Sequence, residues 1–322
     1  MTLESFSRCK DYLLLSYSDG INNHFFKYNL STETTTEIKL PFTGSAYASC
    51  FDTKTNEYLV GITSWARQRA LTMSDDITSA LNERRVRLAF QPIVHARTGK
   101  TAFCEALMRI ENVDGTYVMP ASVFPTAEKI GLAQMLDHRV LELAVGHLAL
   151  DTSLTLAVNC SGVTAYHPEW PAQLAAMLDF HPGLAGRLII EITETCAIVD
   201  IEATRQIFAD MRKTGVRIAM DDFGAGHTSF RNLRNLHVDI LKIDGAFVQN
   251  LSRSADDRFF VRTLVDLAGH LGIETVAEWV EDADSARILA DWGVTYLQGN
   301  YFGAAEIPPA ASRDSGLGRM PG

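Results

Sequence analysis

The chain has 322 residues, of which 47% are hydrophobic and 21% are charged, an ordinary composition for a globular protein. Its formal net charge of -10 argues against a partner that is a nucleic-acid polymer, because such binders contact phosphates through positive charge. No apolar run reaches the length of a membrane-spanning helix, and the first ten residues lack the apolar core of a signal peptide. We therefore expect a cytoplasmic protein with no membrane partner.

The cysteines fit the same expectation. They form no CxxC pair and no spacing typical of a disulfide framework. We therefore expect reduced thiols, as in a cytoplasmic protein. The five are Cys9, Cys50, Cys104, Cys160 and Cys196.

Residues 1–70 are predicted to form a small β-rich module. Short β-prone runs are separated by turn residues such as Ser18-Asp19-Gly20 and Pro41. A module of this size buries only a modest core. It contains no cofactor motif, and sensing or regulation are the candidate roles. The predicted strands cover residues 12–17, 24–30, 34–40, 47–51 and 58–62.

From residue 74 onward, strands and helices alternate. Ser74-Asp75-Asp76 is predicted to cap a helix that continues to Arg85. Apolar runs predict strands at 88–94, 102–110, 154–158, 187–192, 216–220, 239–243, 273–277 and 294–297. Helical patterns occupy 138–149, 169–180, 202–214, 255–271 and 282–292.

Eight strands with interposed helices predict an α/β fold, a TIM-like (β/α)8 barrel over residues 74–307. A doubly wound open sheet is the alternative, but no GxGxxG or Walker A sequence supports a nucleotide-binding sheet. Residues 308–322 are rich in Pro, Ala, Gly and Ser and are predicted to form a flexible tail.

Polar residues recur at the carboxyl ends of the predicted strands, where barrel enzymes carry out their chemistry. Any one of them alone is more readily a helix cap or a solvated charge. Several carboxylates on one rim, however, require cations, and hard oxygen ligands favour Mg²⁺ or Mn²⁺. The pattern indicates a metal-dependent hydrolase with two ions. The set is Glu105, Asn159, Glu191, Asp221, Asp222, Lys242, Asp244, Glu278 and Gln298.

Eight ordered segments over about residues 75–303 resemble the EAL-domain cyclic-di-GMP phosphodiesterases. No single segment is specific, but the ordered set is. The chain departs from this pattern at Asn300, because the family usually has an aromatic residue after the Gln-Gly pair. The segments are Phe90-Gln91-Pro92, Glu105-Ala106-Leu107 with Arg109, Asn159-Cys160-Ser161, Glu191-Ile192-Thr193-Glu194, Asp221-Asp222-Phe223-Gly224, Lys242-Ile243-Asp244, Glu278-Trp279-Val280-Glu281 and Leu297-Gln298-Gly299.

The resemblance implies a role for each matching residue. Two metal ions, Mg²⁺ or Mn²⁺, would share Asp221. The first ion would also bind Glu105, Asn159 and Glu191, and the second would bind Asp222 and Glu278. Such a pair of ions would activate water and neutralise the phosphate.

The remaining implied roles concern catalysis and the substrate. Lys242 would hydrogen-bond the attacking water, although it could instead only pair with carboxylates and hold the rim together. Glu278 would accept the proton, with support from Glu281. The substrate contacts would be Gln91, Arg109, Asp222 and Gln298.

The implied activity is hydrolysis of one phosphodiester bond of cyclic di-GMP to linear pGpG in bacterial signalling, by a homodimer formed through the EAL domain. One alternative is a catalytically weak module that acts as a cyclic-di-GMP receptor. Another is an unrelated barrel enzyme that acts on a different phosphodiester. The complete set of acidic ligands favours the enzyme.

Overall fold

The computed structural model describes residues 2–18, 23–38, 44–50, 58–64, 75–112, 114–197, 199–224 and 230–308. The chain divides into two compact units, Met1–Ile77 and Thr78–Gly322. The predicted cap at Ser74 and nearly all of the predicted tail lie outside the described residues.

The first unit is β-rich, as predicted. Strands β1 (Thr2–Arg8), β2 (Tyr12–Ser18), β3 (Asn23–Asn29) and β4 (Thr35–Ile38) form an antiparallel sheet in sequence order. Strands β5 (Gly44–Cys50) and β6 (Tyr58–Ser64) form a separate antiparallel pair. Leu14 and Phe25 are buried in the first sheet. Strand β1 was not predicted, because Glu4, Ser5 and Ser7 interrupt its apolar pattern.

The prediction that all five cysteines are reduced is wrong for Cys9, which is disulfide-bonded. A cross-link of this kind stabilises a unit whose own core is small. Cys104, Cys160 and Cys196, in the second unit, are free.

The second unit is a closed eight-stranded barrel, which confirms the predicted TIM-like fold and excludes the open doubly wound sheet. Neighbouring strands pair around the ring, and β8 closes it against β10. The barrel strands are β7 (Val86–His95), β8 (Thr101–Glu111), β10 (Leu156–Asn159), β11 (Leu188–Thr193), β12 (Arg217–Phe223), β13 (Ile240–Ile243), β14 (Glu274–Ala277) and β15 (Tyr296–Gln298).

Strand β7 departs from the regular pattern. It runs antiparallel to both neighbours, β8 and β15, whereas the other barrel pairings are parallel. A short turn, rather than a helix, connects β7 to β8. Such a hairpin needs no crossover, because antiparallel strands can be joined by a tight turn. A two-residue strand, β9 (Tyr117–Val118), pairs with the end of β8.

The helices pack around the strands. Every helix predicted between strands is present, with ends shifted by a few residues, whereas most of the short helices were not predicted. Ranges are α1 (75–82), α2 (Pro120–Lys129), α3 (Ala133–Leu150), α4 (Gly162–Ala165), α5 (Trp170–Asp179), α6 (Glu194–Ala197), α7 (Ile201–Lys213), α8 (Phe230–Leu236), α9 (Gly245–Val248), α10 (Ala255–Leu271) and α11 (Ala283–Asp291). Within the described residues, none of them has the length and apolar character needed to cross a membrane.

One buried layer of side chains fills the barrel interior, and each barrel strand contributes one residue to it. The layer is Ile93, Phe103, Ala157, Ile189, Ala219, Ile240, Val276 and Tyr296. Because side chains alternate across a strand, the residue two positions along each strand also points inward. The layer therefore determines which side chains form the next level of the interior.

Gly299 shows how closely the barrel end is packed. A Cβ at this position would overlap the backbone nitrogen, carbonyl carbon and oxygen of Val280. Rigid backbone cannot move aside as a flexible side chain can. Gly299 is therefore required by the close approach of two chain segments.

We predict that Gly299→Ala lowers the unfolding free energy by about 1–3 kcal/mol, the usual penalty for overpacking. Thermal unfolding by circular dichroism would measure it as a lower Tm. Gly146→Ala is the matched control, because nothing lies within 4 Å of a Cβ at this exposed helical position. It should leave Tm unchanged or raise it. Equal Tm values for Gly299→Ala and the wild type would contradict the packing argument.

Candidate active site

The site is the level of side chains next to the buried barrel layer. Moving two residues from each layer residue, forward on the seven parallel strands and backward on β7, reaches a polar side chain in all eight cases. They are Gln91, Glu105, Asn159, Glu191, Asp221, Lys242, Glu278 and Gln298. All eight belong to the set expected from the sequence, so the barrel places this group of sequence-predicted residues at one end of its interior.

Lys242 lies at the centre of this level. Its side chain is 1% exposed. Its Nζ is 2.9 Å from Asp221 Oδ1, 2.9 Å from Glu278 Oε1, 3.0 Å from Glu191 Oε2 and 3.5 Å from Glu105 Oε2. One cation therefore contacts four buried carboxylates, whose charges together exceed its own.

This charge imbalance changes the proton affinity of the cluster. Burial, together with Asp221 and Glu105, raises the pKa of Glu278 to about 8 despite Lys242. Burial also raises the pKa of Glu191 well above its usual range. Burial opposes the ionised form of Lys242, but the four carboxylates outweigh it and raise the pKa of the ammonium. The ionised cluster requires more positive charge than Lys242 supplies.

Glu105 differs from the other carboxylates in the number of hydrogen bonds that it accepts. Its burial is outweighed by the Lys242 charge and by hydrogen bonds, so its pKa is lowered. Asn159 Nδ2 donates to Oε1 at 2.8 Å, and Gln298 Nε2 donates to Oε2 at 2.7 Å. Glu105 therefore ionises more readily than Glu191 and Glu278.

The arrangement fits divalent metal ions. Glu191 Oε1 is buried without a hydrogen-bond partner, and Asp221 Oδ1 has only its ion pair with Lys242. Carboxylate oxygens of Asp221, Asp222 and Glu278 lie within 4.8 Å of one another. Hard ions such as Mg²⁺ and Mn²⁺ bind carboxylate oxygens. The oxygens without hydrogen bonds in this negatively charged cluster could therefore act as their ligands.

Three of the four residues expected to contact the substrate, Gln91, Arg109 and Gln298, occupy the β7–β8–β15 side of the barrel. Gln298 Nε2 donates to Gln91 Oε1 at 3.2 Å, and Gln91 Nε2 donates to the carbonyl of Gly303 at 3.3 Å. Arg109 is buried, and its Nη1 donates to the carbonyl of Met108 at 2.8 Å. Burial lowers the pKa of Arg109, against the attraction of Glu105. Gln91 and Gln298 thus contact each other, and Gln298 contacts Glu105.

Two of the expected residues stand away from the buried level. By its surface area Asp222 is exposed, and it has φ 53°. Desolvation of its carboxylate, followed by the Asp221 charge, raises its pKa. Glu281 is exposed, and its carboxylate accepts a hydrogen bond from Gln249 Nε2 at 3.4 Å. Asp222 thus lies at the exposed edge of the carboxylate cluster. Glu281 lies outside the cluster, beside Gln249 at the end of α9.

An adjoining cavity of about 850 Å³ opens beside the cluster. Glu105, Asn159, Asp221 and Asp222 line one end of it, and its other walls are largely apolar. A chamber of this size suits a ligand with apolar faces whose charged part reaches the carboxylates.

Asp137 on α3 lines this cavity and was not among the predicted residues. It is buried, and its Oδ2 accepts hydrogen bonds from Ser161 N, Ser161 Oγ and Thr164 Oγ1. It therefore anchors the turn that follows Asn159. A helical carboxylate gives no sequence signal for such a contact, because its partner lies more than 20 residues further along.

The family model of the EAL domain matches residues 74–305. The chain belongs to the EAL domain family. Cyclic di-GMP phosphodiesterase PdeB of Shewanella oneidensis is 33% identical over 241 residues, which are 73% of this chain and 28% of PdeB. The bifunctional diguanylate cyclase/cyclic di-GMP phosphodiesterase MucR of Pseudomonas aeruginosa is 32% identical over 241 residues, covering 73% and 35% of the two chains. This chain thus spans about a third of the length of these two relatives.

Solved EAL structures have the same fold. The PaMucR phosphodiesterase in complex with cyclic di-GMP superposes with a TM-score of 0.70 at 32% identity, covering 73% of this chain and 98% of that one. The FimX EAL domain from Pseudomonas aeruginosa bound to cyclic di-GMP gives a TM-score of 0.69 at 26% identity, covering 73% and 96%. The part in common is the barrel unit.

The buried Asp137 carboxyl predicts a pH effect on stability. Burial raises the pKa of Asp137, and the like charge of Glu128 adds to this, although hydrogen bonds from Ser161 and Thr164 oppose it. A carboxyl that holds its proton more tightly when folded stabilises the fold below the unfolded pKa of about 3.9. That contribution is lost as pH rises through the folded pKa.

We therefore expect the unfolding free energy of the wild type, relative to Asp137→Asn, to fall as pH rises from about 4, by about 1.4 kcal/mol per unit of pKa difference. Urea denaturation of both proteins from pH 4 to pH 7 would measure it. Asp151→Asn is the control: hydrogen bonds from Ser153 lower the pKa of that carboxylate, so its stability difference should be nearly constant from pH 4 to pH 7 and should change only below about pH 4. A pH-independent difference for Asp137→Asn would refute the assignment.

Proposed function

We propose that residues 74–307 form a cyclic-di-GMP phosphodiesterase domain that hydrolyses one phosphodiester bond to give linear pGpG, using Mg²⁺ or Mn²⁺. We propose further that it acts as a homodimer. The single observation that supports the activity best is the buried level of four carboxylates around Lys242, complete in a chain of the EAL family. The PdeB and MucR relatives are named for this activity.

The proposed metal ligands are the members of this level and its exposed neighbour. Bound divalent ions would supply a polarised phosphate and an activated water. The first ion would be held by Glu105, Asn159, Glu191 and Asp221. The second would be held by Asp221, Asp222 and Glu278.

The chain's own side chains perform the remaining tasks. Arg109 carries forked donors that suit a phosphate, and Gln91 and Gln298 would contact the cyclic dinucleotide beside it. Lys242 would hold the attacking water, and Glu278 would accept its proton. Glu281 would contribute only through the Gln249 contact, since it lies away from the cluster.

The proposal is tested by incubating purified protein with cyclic di-GMP and Mg²⁺, Mn²⁺ or Ca²⁺ in turn and separating the products by chromatography. We expect pGpG with Mg²⁺ or Mn²⁺ and none after chelation. Tight binding of cyclic di-GMP without turnover at saturating metal would support a receptor instead. Faster turnover of another cyclic dinucleotide would point to a different phosphodiesterase.

Glu105→Gln should lower kcat by about a hundredfold or more, the scale for loss of a preorganised electrostatic contact. Glutamine keeps the shape and one acceptor oxygen but loses the charge, so the protein should stay folded with at most a modest fall in Tm. Glu202→Gln is the control, because that exposed carboxylate pairs only with Arg205 on the surface of α7. Near-normal turnover of Glu105→Gln would remove this residue from the metal site.

Lys242→Ala separates the two roles considered for the lysine. The variant leaves four buried carboxylates without their cation, so without metal it should unfold about 3–5 kcal/mol more easily. Saturating Mn²⁺ should restore Tm, because added cations replace the lost charge. If Lys242 also holds the attacking water, the single-turnover rate should stay about a hundredfold below wild type at that Mn²⁺ concentration.

Substrate affinity should change little in this variant, since a contact made to water is not made to the dinucleotide. Recovery of the full single-turnover rate at high Mn²⁺ would show that Lys242 is only an ion-pair partner.

A further inference from the structure

Trp279, which follows Glu278, has an unusual backbone conformation. Its φ is 52°, in the left-handed region that side-chain-bearing residues rarely adopt. Such conformations cost free energy and persist where the surrounding structure enforces them, often at functional sites. Among the described residues, the non-glycine members of this class are Glu33, Arg84, Asp222, His237 and Trp279. Two of the five thus belong to or adjoin the carboxylate cluster.

The indole of Trp279 is seated on Gly245. A Cβ at Gly245 would overlap Cγ and Cδ2 of the indole and lie 2.7 Å from Trp279 Cβ. Gly245 has no positive φ in the structure, so its lack of a side chain serves this contact. The indole remains 53% exposed. Only one side of it is therefore engaged, and that side covers the backbone just beyond the end of β13.

Backbone hydrogen bonds connect the same segments. Glu278 N donates to Ile243 O at 3.3 Å, and Val280 N donates to Gln298 O at 2.9 Å. The segment after β14 is thus joined to the ends of β13 and β15. The first of these bonds is long, so the contact between the indole and Gly245 adds to a weak connection.

These contacts bear on the pair formed by Glu278 and Lys242. The two residues belong to different strand ends, and their charged groups lie 2.9 Å apart. Glu278 directly precedes Trp279, and Lys242 lies three positions before Gly245. A change in how the indole rests on Gly245 would shift one charged group relative to the other.

We propose that Trp279 is a positioning residue, whose indole, seated on Gly245, fixes the Glu278 carboxylate relative to Lys242 and the adjoining aspartates. This inference rests on the proposed function, since Glu278 is the proposed metal ligand and proton acceptor. In this arrangement Trp279 would act through Glu278 rather than through direct contact with the substrate or the metal.

Trp279→Gly tests this directly, because glycine accepts the left-handed backbone without strain and removes only the indole. We expect kcat to fall by about tenfold to a hundredfold, the range for a misplaced catalytic group. KM for cyclic di-GMP should stay within about twofold, as expected when uniform binding is unaffected. Affinity for Mn²⁺, titrated without substrate, should fall severalfold. Trp279→Phe should keep most of both properties.

Controls separate positioning from general stability. His237→Gly relieves the same kind of backbone strain at an exposed position on the other side of β13, and should change neither kcat nor Mn²⁺ affinity. Gly245→Ala should reproduce the loss seen in Trp279→Gly. The double variant should be no worse than Trp279→Gly, because the added methyl then has room.

Three results would overturn the proposal: wild-type kcat and Mn²⁺ affinity in Trp279→Gly, a raised KM with unchanged kcat, or additive losses in the double variant. If Trp279→Gly folds poorly, Trp279→Asn serves instead, because asparagine also tolerates the left-handed region. An absence of hydrolysis by the wild type would refute the proposed function alone, since the Mn²⁺ titrations would still decide the role of Trp279.

Discussion

The barrel depends on one interaction, the contact of the buried Lys242 ammonium with four carboxylates carried by four different strands. Without the lysine, four buried acids would face one another, and repulsion and desolvation would oppose folding. With it, the cluster is still short of positive charge, as the raised pKa values of Glu191 and Glu278 show. The same imbalance that weakens the fold without cations provides affinity for them. Stability and metal binding are thus two consequences of one arrangement of charge.

The geometry behind this arrangement is simple. One buried layer closes the barrel interior, and the polar level lies two residues away from it on each strand, forward on seven strands and backward on β7. A period of two residues directs both levels inward, so the packing of apolar residues such as Ile189 and Ala219 also orients Glu191 and Asp221. The site therefore needs no special loop to gather its charges. Long-range anchors then hold the loops in place. Asp137 anchors the turn after Asn159, and Glu194 accepts a hydrogen bond from Gly224 N after Asp222.

Much of this could be predicted from the sequence, and particular residues show where prediction ends. Alternating apolar runs located the eight barrel strands, and the charged residues near their ends indicated a metal site, because both signals are local. The environment of Lys242 could not be read in the same way, since its four partners lie on strands separated by long helices. Asp137 was missed because helical periodicity does not reveal which loop a buried carboxylate meets. Strand β1 was missed because polar residues interrupt it. Cys9 was expected to be reduced, because a disulfide depends on a pairing that spacing alone does not show.

The reversed direction of β7 has a consequence for how the chain enters the barrel. In a barrel whose strands are all parallel, the polypeptide enters at the face opposite the chemistry. Here Val86 pairs with Ile110, beyond Glu105 towards the carboxyl end of β8. The chain therefore enters at the rim where the carboxylates lie, and it passes Gln91 before it reaches the buried layer. A displacement of the segment before Val86 would be transmitted along a single strand to a side chain in contact with Gln298. In a barrel whose strands are all parallel, the same displacement would have to pass through the packed interior to reach the carboxylates.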